Sequence, residues 1–167
     1  AAVAISNASL HLMISRQADS DTVTGLPNRR ALDERLEDEA SAARRNSYSF
    51  AVIMMDLDGF KEVNDTYGHS IGDEVLRYVF NFLAQGVRNT DFLARYGGDE
   101  LTLILTQSDL SSARIVAEKI TESMQKLKFK LPDEKNLKLG ISGGIALYPT
   151  HGRTGSDLLR AADAALY

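Results

Sequence analysis

Two runs, Asp91-Phe-Leu-Ala-Arg95 and Leu101-Thr-Leu-Ile-Leu105, flank Tyr96-Gly97-Gly98-Asp99-Glu100, and this arrangement constrains the fold more than any other stretch. Both runs read as strands, so the segment between them reads as a tight β-hairpin. The two glycines permit a turn with positive φ and let a large ligand approach the backbone. Two consecutive carboxylates, Asp99 and Glu100, follow at the tip. Taken alone, the segment is equally compatible with an exposed acidic hairpin.

A second acidic turn weighs against that plainer reading. The run Phe50-Ala-Val-Ile-Met-Met55 is continuously apolar, as expected of a central strand covered on both faces. It is expected to end at Asp56, with a second acid, Asp58, two residues on. Acids at the end of a buried strand present hard oxygen ligands, and Mg²⁺ usually takes one or two protein carboxylates plus substrate phosphates. If the strand lies beside the hairpin, Asp56 and Asp99 can share a metal, which suits phosphoryl or nucleotidyl transfer.

Elsewhere helical patterns alternate with apolar runs. Helices are expected over residues 1–18, from Arg29 to about Arg45 with Asn28 as N-cap, over 71–85, over 110–127, and from Ser156 or Asp157 onward. Asp58 to His69 reads as a loop, with His69 capping the helix that follows. Lys126 to Lys138 reads as a charged connector or small hairpin, and Leu139 to Tyr148 as a strand whose glycines mark a bulge or a close backbone approach. The direct hairpin connection excludes a doubly wound parallel fold. It leaves an α+β domain with a mixed, mostly antiparallel sheet flanked by helices.

Two polar positions carry guanine chemistry. The N1–H and N2 amino group of guanine are donors that a carboxylate accepts well, and its N7, O6 and N3 accept from an amide, so Asn64 and Asp73 suit a guanine site. Their plainer readings are a turn residue and an acid near a helix N-terminus. Lys61 is placed to balance phosphate charge. The net charge of −4, with no evident basic patch, excludes a nonspecific nucleic-acid binder. The absence of cysteine excludes disulfides and thiolate metal sites and fits a cytoplasmic protein. No apolar stretch approaches a membrane span.

Five segments in order resemble the GGDEF family, the diguanylate cyclases. They are Gly97-Gly-Asp-Glu-Leu101, Asp21-Thr-Val-Thr-Gly-Leu-Pro-Asn-Arg-Arg30, Asp56-Leu-Asp-Gly-Phe-Lys-Glu-Val-Asn-Asp-Thr-Tyr-Gly-His69, Ile71-Gly-Asp-Glu-Val-Leu76 and Ala161-Ala-Asp-Ala-Ala-Leu-Tyr167. The resemblance implies a five-stranded sheet of the ferredoxin-like, nucleotidyl-cyclase and polymerase-palm type. It divides the chain into an N-terminal signalling or linker helix (1–20) and a catalytic domain (21–167). Ala1 to Ala8 also resembles the last helix of a GAF sensory domain, which suggests an upstream sensory domain in the parent protein.

The reaction so implied joins two GTP into cyclic di-GMP with release of two pyrophosphates, in a homodimer holding one GTP per protomer. Asp56, the backbone carbonyl of Leu57 and Asp99 would hold two Mg²⁺ or Mn²⁺ ions per protomer, and Glu100 would assist the metal or help deprotonate the attacking hydroxyl. Lys61 and the backbone of Gly59 and Phe60 would hold phosphates, Gly97 and Gly98 would admit the nucleotide, and Asn64 and Asp73 would read guanine. Arg88-x-x-Asp91, ahead of the hairpin, resembles the family's inhibitory site for cyclic di-GMP; its plainer reading is a surface ion pair. Two departures stand out. Leu101 replaces the usual Phe, and the family pattern continues past Tyr167 with a phosphate-binding Lys and Arg. The rival readings are a non-catalytic member that senses or docks GTP or cyclic di-GMP, and a cyclase or polymerase-like enzyme for another nucleotide.

Overall fold

The structure, a computed structural model, describes residues 18–167. The expected N-terminal helix and its GAF-like wording fall on residues 1–17 and lie outside the described residues. The described elements run α1 (Arg29–Asn46), β1 (Phe50–Asp58), α2 (Phe60–Tyr67), α3 (His69–Ala84), β2 (Phe92–Gly97), β3 (Glu100–Leu105), α4 (Leu110–Met124), β4 (Gly140–Tyr148) and α5 (Gly155–Leu166).

The strands form one sheet in the order β2-β3-β1-β4. The expected α+β class is therefore observed, with helices on a ferredoxin-like sheet. The described residues form four strands rather than the expected five, and every hydrogen-bonded pair is antiparallel rather than mixed. The reason is topological. β1 and β2 run in the same direction, but β3 lies between them, so no parallel pair is in contact.

β1 is continuously apolar because both faces are covered. Ala51, Ile53, Met55 and Leu57 face a core shared with α2, α3 and α4. Phe50, Val52 and Met54 face a second core with Leu32, Leu36, Ala40 and Ala43 of α1 and Leu158, Leu159 and Ala162 of α5. The period of two sends successive side chains to opposite layers. Burying either set contributes roughly 25 cal/mol per Å² of apolar surface removed from water. Leu101 is 1% exposed and packed in the first core.

Three expectations needed correction. β1 does not end at Asp56; it continues to Asp58 because pairing with β4 persists to Gly140. Asp58 to His69 is mostly the helix α2 rather than a loop. Gly59 (φ +87°) and Gly68 (φ +85°) turn the chain at its two ends, and Phe60 and Val63, three apart, anchor one face. The helix has eight residues and most of them are polar, too short to show a second apolar turn. His69 does not cap α3: Gly68 occupies the N-cap, with no side-chain hydrogen bond there.

Asn28 does cap α1, its side chain accepting from the Ala31 amide. The expected small hairpin in the charged connector exists as the bridge between Lys130 and Asn136, pinned by buried Leu131 and Leu137.

Candidate active site

The hairpin closes over two residues. Gly97 pairs with Glu100, leaving Gly98 and Asp99 as the turn, and Tyr96 is the extra residue of a bulge just before it. Only Gly98 adopts positive φ (+52°). Gly97 has an ordinary φ, and a Cβ there would meet nothing within 4 Å. Neither the turn nor the packing therefore requires glycine at position 97.

The tip is fastened to β1. The Leu57 amide donates to the Asp99 carbonyl at 3.3 Å, and Asp56 lies directly opposite Glu100 in the β1–β3 ladder. Residues opposite each other in such a ladder share a face, so the Asp56 and Glu100 carboxylates emerge together on the α1/α5 side. Asp58, two residues on, is exposed, and both of its oxygens accept from the Ser142 hydroxyl at 2.9 Å.

This is a cluster of like charge. The Asp56 carboxyl is raised above its ordinary range, first by burial and then by Asp99 and Asp58, although the Leu57 amide opposes the rise. Glu100 is raised by burial, then by Asp56, Asp163 and Asp99, with Arg29 opposing. The Tyr167 hydroxyl is pushed up chiefly by Asp56. One oxygen of Asp56, Oδ1, is buried and has no hydrogen-bond partner. An unsatisfied buried carboxylate oxygen among other acids is costly in a protein alone, and a hard cation would relieve it. Among the described residues no three acid or histidine side chains form a ready-made cage. The donor set is instead two carboxylates and backbone oxygen, which suits an ion completed by substrate phosphates.

A sign follows for stability. The folded values of Asp56 and Glu100 lie above those of the unfolded chain, so the contribution of both groups is full below the ordinary carboxylate range. It is lost as pH rises through their raised folded values. Without divalent metal, these two groups should lower the melting temperature as pH rises above about 4. Added Mg²⁺ should raise it by an amount that grows over the same range. Thermal melts at several pH values with and without Mg²⁺ measure this, and a Mg²⁺ effect independent of pH would contradict it.

The segment at residues 21–28 forms the other wall of the hairpin. Arg95 donates through Nη1 to both oxygens of Asp21 (2.9 and 3.0 Å) and through Nε and Nη2 to the Gly98 carbonyl (3.0 and 2.7 Å). Thr24 donates to Asp21 from both its amide and its hydroxyl, each at 2.8 Å. Burial acts to raise the Asp21 carboxyl, but the hydrogen bonds from Thr24 and Arg95 outweigh it and hold it below its usual range. No local pattern in the sequence connects these two segments. The only signal was an acid and a hydroxyl three residues apart beside a glycine.

The expected guanine residues come together around Gly72. Asn64, half-buried on α2, lies against it, so that a Cβ at Gly72 would sit 1.9 Å from Asn64 Oδ1 and 3.3 Å from the Phe60 ring. Asp73 is the next residue of α3 and is exposed, and Gly59 and Lys61 are exposed at the start of α2.

Arg88 and Asp91 do not form the plain surface ion pair, because no salt bridge joins them among the described residues. Asp91 instead accepts from the Thr106 amide at 3.2 Å. Both residues line a cavity of about 330 Å³ between α3 and α4, together with Lys119 and Ser123 of α4. Lys119 was missed in the sequence because it stands far from the motif along the chain.

The molecule is thus an α+β domain whose antiparallel sheet carries an acidic hairpin fastened beside a strand acid. Residues 18–167 match the family described as diguanylate cyclase, GGDEF domain. The chain belongs to the GGDEF family. It is 42% identical over 147 residues (88% of this chain and 21% of the relative) to the bifunctional diguanylate cyclase/cyclic di-GMP phosphodiesterase MucR of Pseudomonas aeruginosa. It is 37% identical over 147 residues (88% of this chain and 32% of the relative) to the diguanylate cyclase DosC of Escherichia coli. The chain thus spans a fifth to a third of the length of these relatives. It also resembles the crystal structure of the coiled coil and GGDEF domain of DgcB from Caulobacter crescentus in complex with c-di-GMP. That match has a TM-score of 0.90 and 29% identity, and it covers 99% of this chain and 88% of that one. No described helix is long and apolar enough to cross a membrane.

Proposed function

We propose that this domain is a diguanylate cyclase that condenses two GTP into cyclic di-GMP. The observation that carries the reading is the pairing of Asp56 with Glu100 beside Asp99, with a buried Asp56 oxygen left without a partner. Asp56, the Leu57 carbonyl and Asp99 would hold Mg²⁺ or Mn²⁺, two ions per protomer. Bound there, the metal supplies charge neutralisation at the phosphates and a lower pKa for the attacking hydroxyl. Glu100, whose burial raises its proton affinity, would take the 3′-hydroxyl proton.

The chain's other residues bind and orient. Lys61 and the backbone of Gly59 and Phe60 hold phosphates. Gly97, which the protein's own packing does not require, leaves room for the nucleotide against the backbone. Asn64 and Asp73 read the guanine edge. Two protomers face each other, the 3′-oxygen of one GTP attacks the α-phosphorus of the other, and the bond to pyrophosphate breaks. The reciprocal attack closes the ring. Holding two GTP molecules in this geometry supplies much of the rate, so the homodimer is part of the site.

Cyclic di-GMP returns as inhibitor to the cavity at Arg88 and Asp91, where Lys119 adds a second cation. The helix expected over residues 1–18 would set the protomer geometry, and the parent protein would carry an upstream sensory domain. The domain works in the cytoplasm, whether or not that parent is membrane-attached. The rival sensor reading is disfavoured because Asp56, Asp99 and Glu100 are all present.

The test is a progress curve with GTP and Mg²⁺. Wild type should form cyclic di-GMP and slow as product accumulates, whereas Arg88→Ala should start at a similar rate and stay linear about tenfold further into product. Equal curvature in both would remove the inhibitory site. No product from either, despite metal-dependent GTP binding, would favour the sensor.

A further inference from the structure

One side of α3 carries Asp73, Arg77 and Asn81, four residues apart, and only the first has a place in the proposed site. The other two bind backbone. Arg77 Nε donates to the Val23 carbonyl at 2.9 Å, and Asn81 Nδ2 donates to the Thr24 carbonyl at 3.0 Å. Both acceptors belong to the turn whose Asp21 side chain takes Arg95, and Arg95 in turn holds the Gly98 carbonyl at the hairpin tip.

The turn is itself packed and hydrogen-bonded. Thr24 is 4% exposed and hydrogen-bonded to Asp21, and Leu26 is packed in the α2/α3/α4 core. A continuous chain of hydrogen bonds therefore runs from α3 through residues 21–24 to the residue before Asp99.

We infer that Arg77 and Asn81 are positioning residues for guanine selection. They fix α3, and with it Asp73, to the turn that also holds the Asp99 hairpin. That turn sets the span between the end of the site that reads guanine and the end that holds phosphate and metal. Neither side chain touches the nucleotide. Their effect is on specificity, because a loosened α3 lets Asp73 drift from the guanine edge while the Asp56–Glu100 pair on the sheet stays in place. This rests on the cyclase reading of the site.

The test compares GTP with inosine triphosphate, which lacks the N2 amino group, by competition binding to the whole chain in Mg²⁺. Inorganic pyrophosphate serves as a probe of the phosphate end. Both side chains are exposed, so Arg77→Ala/Asn81→Ala should fold; Arg77→Lys, which keeps a donor, is the milder variant. The double variant should lose about three- to tenfold of the GTP-over-ITP preference while binding pyrophosphate as wild type does. Arg77→Lys should lose less. An unchanged GTP-over-ITP ratio in the double variant, or a parallel loss of pyrophosphate binding, would overturn the inference. A wild type with no preference for GTP would instead overturn the guanine-reading role of Asp73, and this inference with it, whereas absence of product from GTP is what would overturn the cyclase reading.

Discussion

Asp56→Asn is expected to lower cyclic di-GMP formation by about 100- to 1,000-fold while raising the melting temperature of the metal-free protein. The two effects have one cause. Asp56 is partly buried beside Asp99 and Asp58, opposite Glu100, and its Oδ1 has no partner. In the protein alone that charge is a burden, and the folded state holds its proton more tightly than the unfolded chain does. Asn keeps the shape and removes the charge, so the apo fold gains. It also removes a hard anionic ligand, so Mg²⁺ should no longer raise the melting temperature appreciably. Thermal melts and product assays on the same preparation measure both. A variant that loses activity and stability together would mean that Asp56 is a structural residue.

Gly144→Ala is expected to have the largest effect on stability. Gly144 lies opposite Met54 in the β1–β4 ladder, and α5 is seated directly on it. A Cβ there would fall 2.0 Å from the Ala162 carbonyl oxygen and 2.6 Å from the Leu166 amide nitrogen. These are backbone atoms, so no rotamer change relieves the overlap and the helix must lift. Overpacking of this kind costs about 1–3 kcal/mol or more, a fall of roughly 3–10 °C in the melting temperature for a domain of this size. Lifting α5 also moves Asp163 away from Glu100, whose proton affinity it helps to raise, and parts Tyr167 from Asp56. Activity should therefore fall with stability, unlike the opposed changes at Asp56. An unchanged melting temperature would mean that the helix seat is looser than the structure shows.

The parts of the fold that were legible in the sequence are those with strong local signals. The Gly97–Gly98 hairpin is marked by its turn residues, and β1 by an apolar run long enough to need cover on both faces. Asn64 and Asp73 were legible as chemistry, and α2 and α3 bring them to the two sides of Gly72. The misread parts have physical reasons. α2 is short and polar, so its helical period never repeats; its ends are set by two glycines that read equally well as loop residues. Asp56 looked like a strand end because the apolar run stops there, yet pairing with β4 carries the strand to Asp58. The Arg95–Asp21 clasp and the placement of Lys119 join positions distant along the chain, and a single sequence carries no signal for such pairings.

The most direct test of the central claim is to incubate the protein with GTP and Mg²⁺, alongside Asp99→Asn, and to quantify both products. The account predicts cyclic di-GMP and pyrophosphate in a ratio of one to two from wild type, with a rate lower by about 100-fold or more in the variant. Equal product from Asp99→Asn would contradict it, as would tight metal-dependent GTP binding by wild type with no pyrophosphate released.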